Sequence, residues 1–572
     1  HDVKADMATD NRLLGLFLAL FGAVGLISAA MAIANTTSGW VLSQLQDLAV
    51  LKVVGLTPRQ VMRLLLLEQG ALGLAGIGLG VLGAKLVTGP WVTGLLSDSV
   101  ANKLAVPIST GSLLLIALGT AVVLMVAALL PAWRGSRVTP VTAVTVTPPR
   151  GRLSPLARVA LLAHLPPALV LGARDTFTRR TTAILTMVAL AVPATMVTIG
   201  LGCLATLDTF QRHPAQIGGL AGTLNVTASN GLSDAQATGL IKGVKGVAAV
   251  YPSVFNPVLL PGQARVVRAR AIGDSRRPYP FPITQGRLYH APGEAVAGEG
   301  LLRLMHAHVG ERISVRVPNG VQMNLHIVGR TLEPSDNGEV LSFGLDTLNT
   351  YEPSQAGYYT VTLDGSASPS TVQGRLHRVL GNAMPVKPNP NPVDGFGSIR
   401  VLVWALITVL VLIGLANLLT ATSVELRDHE RNAGVLRAIG LTPRQVVATM
   451  VTRTVLLASI AVVAGVAAGS ALGPWLIDLQ GDDSGVGAGI GRAPSPLVIA
   501  LTVLAALLMA AATALVPARR VTGDDVTAAL YGRRPVRPGR RRVERFVHQV
   551  GSYVAAEYSR RHGYSRREKT PT

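Results

Sequence analysis

Two near-identical clusters of cations beside helix-ending and helix-capping residues are where this sequence concentrates binding chemistry. Gly55-Leu56-Thr57-Pro58-Arg59-Gln60-Val61 recurs unchanged, 385 residues later, as Gly440-Leu441-Thr442-Pro443-Arg444-Gln445-Val446. Just upstream, Val50-Leu51-Lys52 matches Val435-Leu436-Arg437. The glycine suits a helix end with positive φ. The threonine suits the N-cap of the next helix, with proline at its first position. Each copy therefore reads as a short helix, a sharp turn and a second helix entering an apolar segment. A capped connection accounts for glycine, threonine and proline. It does not call for the same basic residues twice. The reading favoured here is a docking elbow carrying force from a partner. Its residues are Leu51, Lys52, Gly55, Thr57, Pro58, Arg59 and Gln60, then Leu436, Arg437, Gly440, Thr442, Pro443, Arg444 and Gln445.

Other chemistries find little support. No glycine-rich loop ends in Gly-Lys-Ser or Gly-Lys-Thr, and no His-Glu-x-x-His pattern occurs. No serine sits in a Gly-x-Ser-x-Gly elbow. His290, His306, His308 and His326 lack carboxylates at ligand spacing, so they read as surface or half-buried histidines. Cys203 is the single cysteine and lies in an apolar run, which excludes an internal disulfide. Asn225-Val226-Thr227 has the form of a glycosylation acceptor. The sequence thus predicts no catalytic residue, no metal and no directly bound cofactor.

The elements that must position the elbows are apolar blocks. Of 572 residues, 49% are hydrophobic but only 4% aromatic and 15% charged. The mean hydropathy of +0.42 fits a chain with much of its length in lipid. Candidate spans fall at 12–35, 62–86, 111–131, 182–206, 401–421, 449–475 and 497–517, each near the ~20 residues that cross a bilayer. A formal charge of +21 first suggests nucleic acid. The cations instead flank the apolar blocks, as cytoplasmic loops do. The linker 132–181 holds eight arginines against Asp175 alone, and the tail 518–572 holds fourteen cations against five acids. Both are predicted to be cytoplasmic. Region 207–398 holds sixteen cations against thirteen acids and is placed outside. Seven crossings satisfy these assignments. The chain opens at His1 with polar residues, so the natural N-terminus is expected upstream.

Region 207–398 reads as an α+β domain. Strands are predicted at Val247–Val258, Gln263–Ile272, Arg312–Val317, Val321–Val328 and Tyr358–Leu363. Pro318-Asn319-Gly320 looks like a hairpin turn, Thr371–Leu380 like an amphipathic helix and Pro385–Pro392 like a connector. About 75 residues beyond each elbow come Pro131-Ala132-Trp133-Arg134 and Pro517-Ala518-Arg519-Arg520, so a three-span unit is duplicated. Each elbow precedes a span rich in small residues: Gly70, Gly73, Gly76, Gly78, Gly80 and Gly83, then Gly465, Gly469 and Gly473. Small residues permit close helix crossing, either between the two halves or within one.

With the elbows and the Pro-Ala-Arg-Arg exit in view, the chain resembles the FtsX-like permease family, of the kind found in MacB and lipoprotein-releasing transporters. The family pattern has an acidic residue five before the basic residue of the leucine–basic pair. Asp47 fills that place in the first copy and Asn432 in the second, where Glu425 and Glu430 stand earlier. Gly286-Arg287-Leu288 and Val309-Gly310-Glu311-Arg312 extend the resemblance into the inserted domain. The resemblance implies a polytopic α-helical membrane protein with duplicated three-span permease cores and an α+β extracytoplasmic domain. Its parts would be a first core at 1–145, a basic linker at 146–181 and a span at 182–206. They continue with the outer domain at 207–398, a second core at 399–530 and a basic tail at 531–572. An intact protein would have eight spans and two outer domains.

The implied setting is a bacterial plasma membrane, with the C-terminus cytoplasmic. The implied function is a permease subunit of an ABC transporter. A separate ATPase, in two copies, would use ATP, and the elbows would contact it. Domain motion would export or extract a lipid, lipoprotein, peptide or drug-like substrate. The alternative is a non-transporting regulator of a cell-envelope hydrolase or signalling partner. Membrane lipid and an extracytoplasmic lipoprotein or hydrolase are further expected partners; nucleic acid is not. An independent secondary transporter would need ionisable sites at mid-membrane, which these spans hardly offer. The arginine-rich tail reads best as a charged terminus that helps set topology.

Overall fold

The computed structural model describes residues 57–95, 110–136, 166–176, 180–228, 232–260, 266–317, 319–389, 397–438 and 440–523. It also describes Gly55 and scattered positions of a helix between 22 and 37. Helix α1 (Pro58–Leu95) and helix α2 (Thr110–Ser136) pack on each other. A short helix α3 (Pro167–Asp175) then precedes the long helix α4 (Arg180–Arg212). Three long helices close the described chain: α9 (Gly397–Ala438), α10 (Pro443–Asp483) and α11 (Pro496–Gly523). Helix α10 runs along α4 and also touches α3 and α11, while α9 packs on α4.

Among the described residues, five helices are long and apolar enough to cross a membrane, and Leu114–Leu129 within α2 is a shorter apolar helix. The span expected at 12–35 lies largely outside the described residues. The lipid-facing character shows in exposed leucines such as Leu67, Leu115, Leu412 and Leu508. Trp404 and Trp475 stand exposed toward the inserted-domain ends of α9 and α10, and Trp133 is exposed toward the opposite end of α2. Indole rings favour such interfacial belts. One further repeat accompanies this placement: Gly89-Pro90-Trp91 in α1 matches Gly473-Pro474-Trp475 in α10.

The crossing of α4 and α10 explains the small residues of the second unit. An added Cβ at Gly465 would lie 2.5 Å from the Ala191 carbonyl oxygen, and one at Gly469 would lie 2.6 Å from that of Thr195. These glycines face the span of their own unit, which decides between the two placements open in the sequence. Thr195 and Thr198 donate their hydroxyls to the carbonyls of Ala191 and Ala194, so no polar group is stranded at the crossing. Asn417 of α9 donates to the Ala189 carbonyl of α4 at 3.1 Å, an interhelical bond inside the bundle. At the inserted-domain end, Arg400 of α9 meets Asp208 and Gln211 of α4. In the first unit, Gly76, Gly78, Gly80 and Gly83 meet nothing within 4 Å.

Between α4 and α9 lies the inserted domain. Its elements in chain order are β1 (Leu224–Thr227), α5 (Asp234–Lys242), β2 (Val247–Leu259), β3 (Val266–Asp274), β4 (Arg277–Pro278), β5 (Ile283–Gly286) and β6 (Glu294–Gly298). They continue with α6 (Glu299–Met305), β7 (Arg312–Arg316), β8 (Gln322–Thr331), β9 (Val340–Phe343), α7 (Leu345–Tyr351), β10 (Tyr358–Leu363), α8 (Pro369–Leu380) and β11 (Val386–Pro388). Six strands close a ring in the order β2-β3-β9-β6-β8-β7, with Leu259 opposite Arg316 as the closing pair. Val267, Ala269 and Ala271 alternate inward with Ile313, Val315, Met323, Leu325 and Leu341 to fill it. The other lobe is the sheet β11-β1-β10-β2, covered by α5 and α8 through Ile241, Val372 and Leu376.

Strand β2 belongs to both lobes, pairing β10 with its first half and β3 with its second. Ser253 sits at the changeover, fully buried, with its hydroxyl within reach of the Tyr358 carbonyl and the Thr360 hydroxyl. All five predicted strands exist, with ends shifted by a few residues. Between β7 and β8 the Gly320 N–H donates to the Val317 carbonyl at 2.9 Å, with Gly320 at φ +88°; Pro318 lies outside the described residues. Helix α8 begins two residues before the predicted start, because Ser368 caps it. Strand β6, Glu-Ala-Val-Ala-Gly, was not predicted. Its small residues carry no β signal, yet they suit the ring interior. Asn225, the acceptor-like residue, lies in β1, which is paired on both sides.

The Gly-Arg-Leu motif is structural. Gly286 has φ +78°, and a Cβ there would lie 2.3 Å from the Val328 carbonyl oxygen. Arg287 grips Glu294 with both terminal nitrogens. That pairing holds the Glu294 carboxyl at about 2, well below the usual range and against the opposing effect of burial. The four histidines take separate tasks: His306 ends α6 in the left-handed conformation, and His326 meets the Gly310 carbonyl. His308 lies 3.4 Å from Glu311, and the His290 backbone N–H donates to Glu294. Among the described residues no three potential ligands come together for a metal.

Candidate functional site: the paired elbows

Both elbows have one local geometry. Gly55 and Gly440 stand at φ +107° and +105°, the left-handed region that favours glycine. The Thr57 backbone N–H donates to Gln60 Oε1 at 2.8 Å, and the Gln60 N–H donates back to Thr57 Oγ1 at 3.4 Å. Thr442 and Gln445 repeat those bonds at 2.8 and 3.4 Å. This is a reciprocal capping box that satisfies two N-terminal donors of each helix. Pro58 and Pro443 begin α1 and α10, where a missing N–H costs nothing. Val61 and Val446 are fully buried.

That assignment sorts the repeated residues. Glycine, threonine, proline, glutamine and valine each do a local structural task. Gln60 and Gln445 close the caps with their side chains and remain exposed on the elbow surface. Arg59 and Arg444 have no such task. Both are exposed, and among the described residues neither forms an ion pair. A guanidinium held at a helix start without a local acceptor is available to an acidic surface. Arg437 is half-buried and engaged. Leu51, Lys52 and Asp47 lie outside the described residues, as do the side chains of Leu436 and Asn432.

The surroundings brace each turn. In the first unit Val61 and Leu65 pack on Ala132, so the Pro-Ala-Trp-Arg exit of α2 lies against the elbow. In the second, α3 lies so close to α10 that a Cβ on Gly172 would stand 2.7 Å from the Thr449 carbonyl oxygen. Arg453 is held in α10 at 8% exposure, one helical stretch above the elbow. Sequence reasoning passed over this residue. Its position inside an apolar run was the available signal.

From the elbow, α10 continues for 41 residues, roughly 60 Å at 1.5 Å per residue. Its far end meets the strand ring. The loop 484–491 is tied to α10 through Asp478, which accepts from the N–H groups of Gly489 and Gly491 at 3.0 and 2.6 Å. The Arg492 N–H donates to Thr206 of α4 at 3.1 Å. On the domain side, the Glu333 N–H donates to the Val486 carbonyl at 3.2 Å, and Arg303 reaches the carbonyls of Asp482 and Asp483. Gly338 and Gly485 interleave so tightly that a Cβ on Gly485 would fall 1.9 Å from the Asn337 carbonyl oxygen. Behind this joint Arg270 and Glu333 form an ion pair exposed by only 4% and 0%.

Comparison with known proteins agrees with the duplication. The family model described as FtsX-like permease C-terminal matches residues 19–140 and again 404–526. Among solved structures, the inserted domain finds the periplasmic region of MacB from Actinobacillus actinomycetemcomitans. That match has 14% identity and a TM-score of 0.23, and covers 32% of this chain and 92% of that one. It also finds the extracellular domain of the noncanonic ABC-type transporter YknZ from Gram-positive bacteria, at 13% identity and a TM-score of 0.23, covering 29% and 100%. No curated protein matches the chain. The chain thus carries two segments that match the FtsX-like permease domain, one on either side of the inserted α+β domain, within a polytopic membrane architecture.

Proposed function

We propose that this chain is the permease subunit of an ABC transporter that converts ATP hydrolysis by a separate ATPase into movement of its inserted domain. The observation that carries this reading is α10: one continuous helix, with Pro474 near its far end, from the Thr442 cap to the joint at Asn337–Gly338. A displacement at the elbow moves the far end of a stiff rod, and the rod is gripped by the strand ring. The inserted domain lies outside the cell membrane, and the elbows and C-terminus lie in the cytoplasm. Arg59 and Arg444 face two copies of the ATPase, one at each elbow. The chain itself binds no cofactor and performs no catalysis; ATP is consumed by its partner. The inserted domain engages cargo of the lipid, lipoprotein, peptide or drug-like kind.

The test is reversal of charge at the elbows. The Arg59→Glu/Arg444→Glu protein, purified with its ATPase from native membranes, should lose stimulation of ATP hydrolysis by the permease. Thr57→Ala/Thr442→Ala should retain most of it. Unchanged stimulation in the arginine variant, or recovery of the wild-type chain with no ATPase, would sink the assignment.

A further inference from the structure

A trough between α5 and α8 lies on the side of the inserted domain away from both the strand ring and the joint. Gly239 and Gly243 leave its floor open, since a Cβ at Gly239 would meet nothing within 4 Å. Its walls are Leu240 and Val379, exposed by 48% and 56% although each adjoins a core residue, Ile241 and Leu380. The cavity measures about 500 Å³. Aliphatic side chains held in water on facing helices are a cost that the fold of this lobe does not need, because α5 and α8 already bury their inner faces.

The charge around the trough has one sign. Lys245, Arg375 and Arg378 line it, and Lys242 adjoins it on α5. Among the described residues, none of these four cations forms an ion pair. Of the nearby carboxylates, Asp234 accepts from the Tyr359 hydroxyl at 2.8 Å; Asp364 accepts from the Ser366 N–H at 2.8 Å and feels the charge of Arg375 without pairing with it. Arg375 is held in place by donating to the Lys245 carbonyl at 2.9 Å. On α8, Arg375, Arg378 and Val379 follow at the three- and four-residue spacing of a single face.

We propose that this trough is a docking groove for an acidic amphipathic helix of an extracytoplasmic protein partner. Apolar residues one turn apart on that helix would fill the space over Gly239 and Gly243. Its carboxylates would meet Lys242, Lys245, Arg375 and Arg378. The excess of positive charge steers such a segment, and the apolar walls retain it. A bilayer surface fits less well, because a trough between two helices admits a rod rather than a plane. The proposal rests on the reading that the inserted domain lies outside the membrane and works on a partner there.

The probe is a fluorescent designed helix with leucine on one face and glutamate on the other, titrated onto the full chain in neutral detergent without ATPase. Comparators are the same peptide with lysine for glutamate, and phosphatidylglycerol vesicles added to the chain reconstituted in neutral lipid. The acidic peptide should bind, weaken with salt, and lose at least tenfold in affinity in Arg375→Glu/Arg378→Glu and in Leu240→Asp. Arg375→Lys/Arg378→Lys should stay within about threefold, which separates lost charge from lost folding. Absent binding, equal binding of the lysine peptide, indifference to the variants, or binding of vesicles alone would each overturn the groove. None of these outcomes touches the ATPase-docking reading, whose test is stimulation of hydrolysis.

Discussion

The two permease cores share an elbow and differ in what stands beside it. In the second core, α10 is sheathed by α4, and Gly465 and Gly469 accept the backbone of that helix at van der Waals limits. In the first core, α1 has the same capping box and a similar run of small residues. There Gly70 and Gly73 touch Met125 and Leu124 of α2, whereas among the described residues Gly76, Gly78, Gly80 and Gly83 meet nothing within 4 Å, and the leucines around them are exposed. In the second core the small residues are matched by a neighbour, α4, whose backbone fills the space they leave. The cores differ again at position 68, where the first core carries exposed Glu68 and the second, 385 residues on, carries buried Arg453. One local motif thus serves two tertiary settings.

Substitution at the glycines should widen this difference most. Gly469→Leu places side-chain atoms where the Thr195 carbonyl lies and should cost about 3 kcal/mol, the upper range for overpacking. Gly80→Leu in the first core should change stability by less than about 0.5 kcal/mol. Thermal unfolding in detergent reads both, and equal losses would erase the distinction between the cores. Next in size is Asn417→Leu, which removes the interhelical bond to Ala189 and should cost about 1 kcal/mol.

The caps should behave alike. Thr57→Ala and Thr442→Ala each remove one partner of a capping box and should cost about 1 kcal/mol apiece. Hydrogen exchange at the first turn of α1 and α10 measures this. A loss confined to one core would show that the shared geometry is not shared energetics. The smallest expected effect separates the inserted domain from both cores. Glu294 ionises at about 2 in the folded domain, down from the ordinary carboxyl value of 4.5. A depressed carboxyl pKa stabilises above the unfolded value and loses that contribution as pH falls from about 4.5 toward about 2. Because Arg287 is half exposed, the loss should be about 1 kcal/mol after screening. Glu294→Gln should flatten that acid limb, and an unchanged limb would assign it to other carboxylates.

The chain's own residues determined a good deal. Apolar blocks of span length, cations beside them and a seven-residue identity at one spacing are local signals. Lipid solvation and helix capping act on a residue and its near neighbours, so they are readable without a fold. The elbow turned out as its glycine, threonine and proline indicate, because φ preference and capping reach no further than four residues. The capping role of Gln60 and Gln445, three residues after each threonine, is legible by the same rule. What only the tertiary structure decided is long-range. The ring closure of β2 with β7, the strand character of Glu294–Gly298 and the parallel pairing of β3 with β9 depend on partners far along the chain. So does the joint between Gly338 and Gly485, where two glycines 147 residues apart meet only because both backbones must pass through one space. Such contacts are set by packing after the local elements exist, and no window of sequence contains both sides of them.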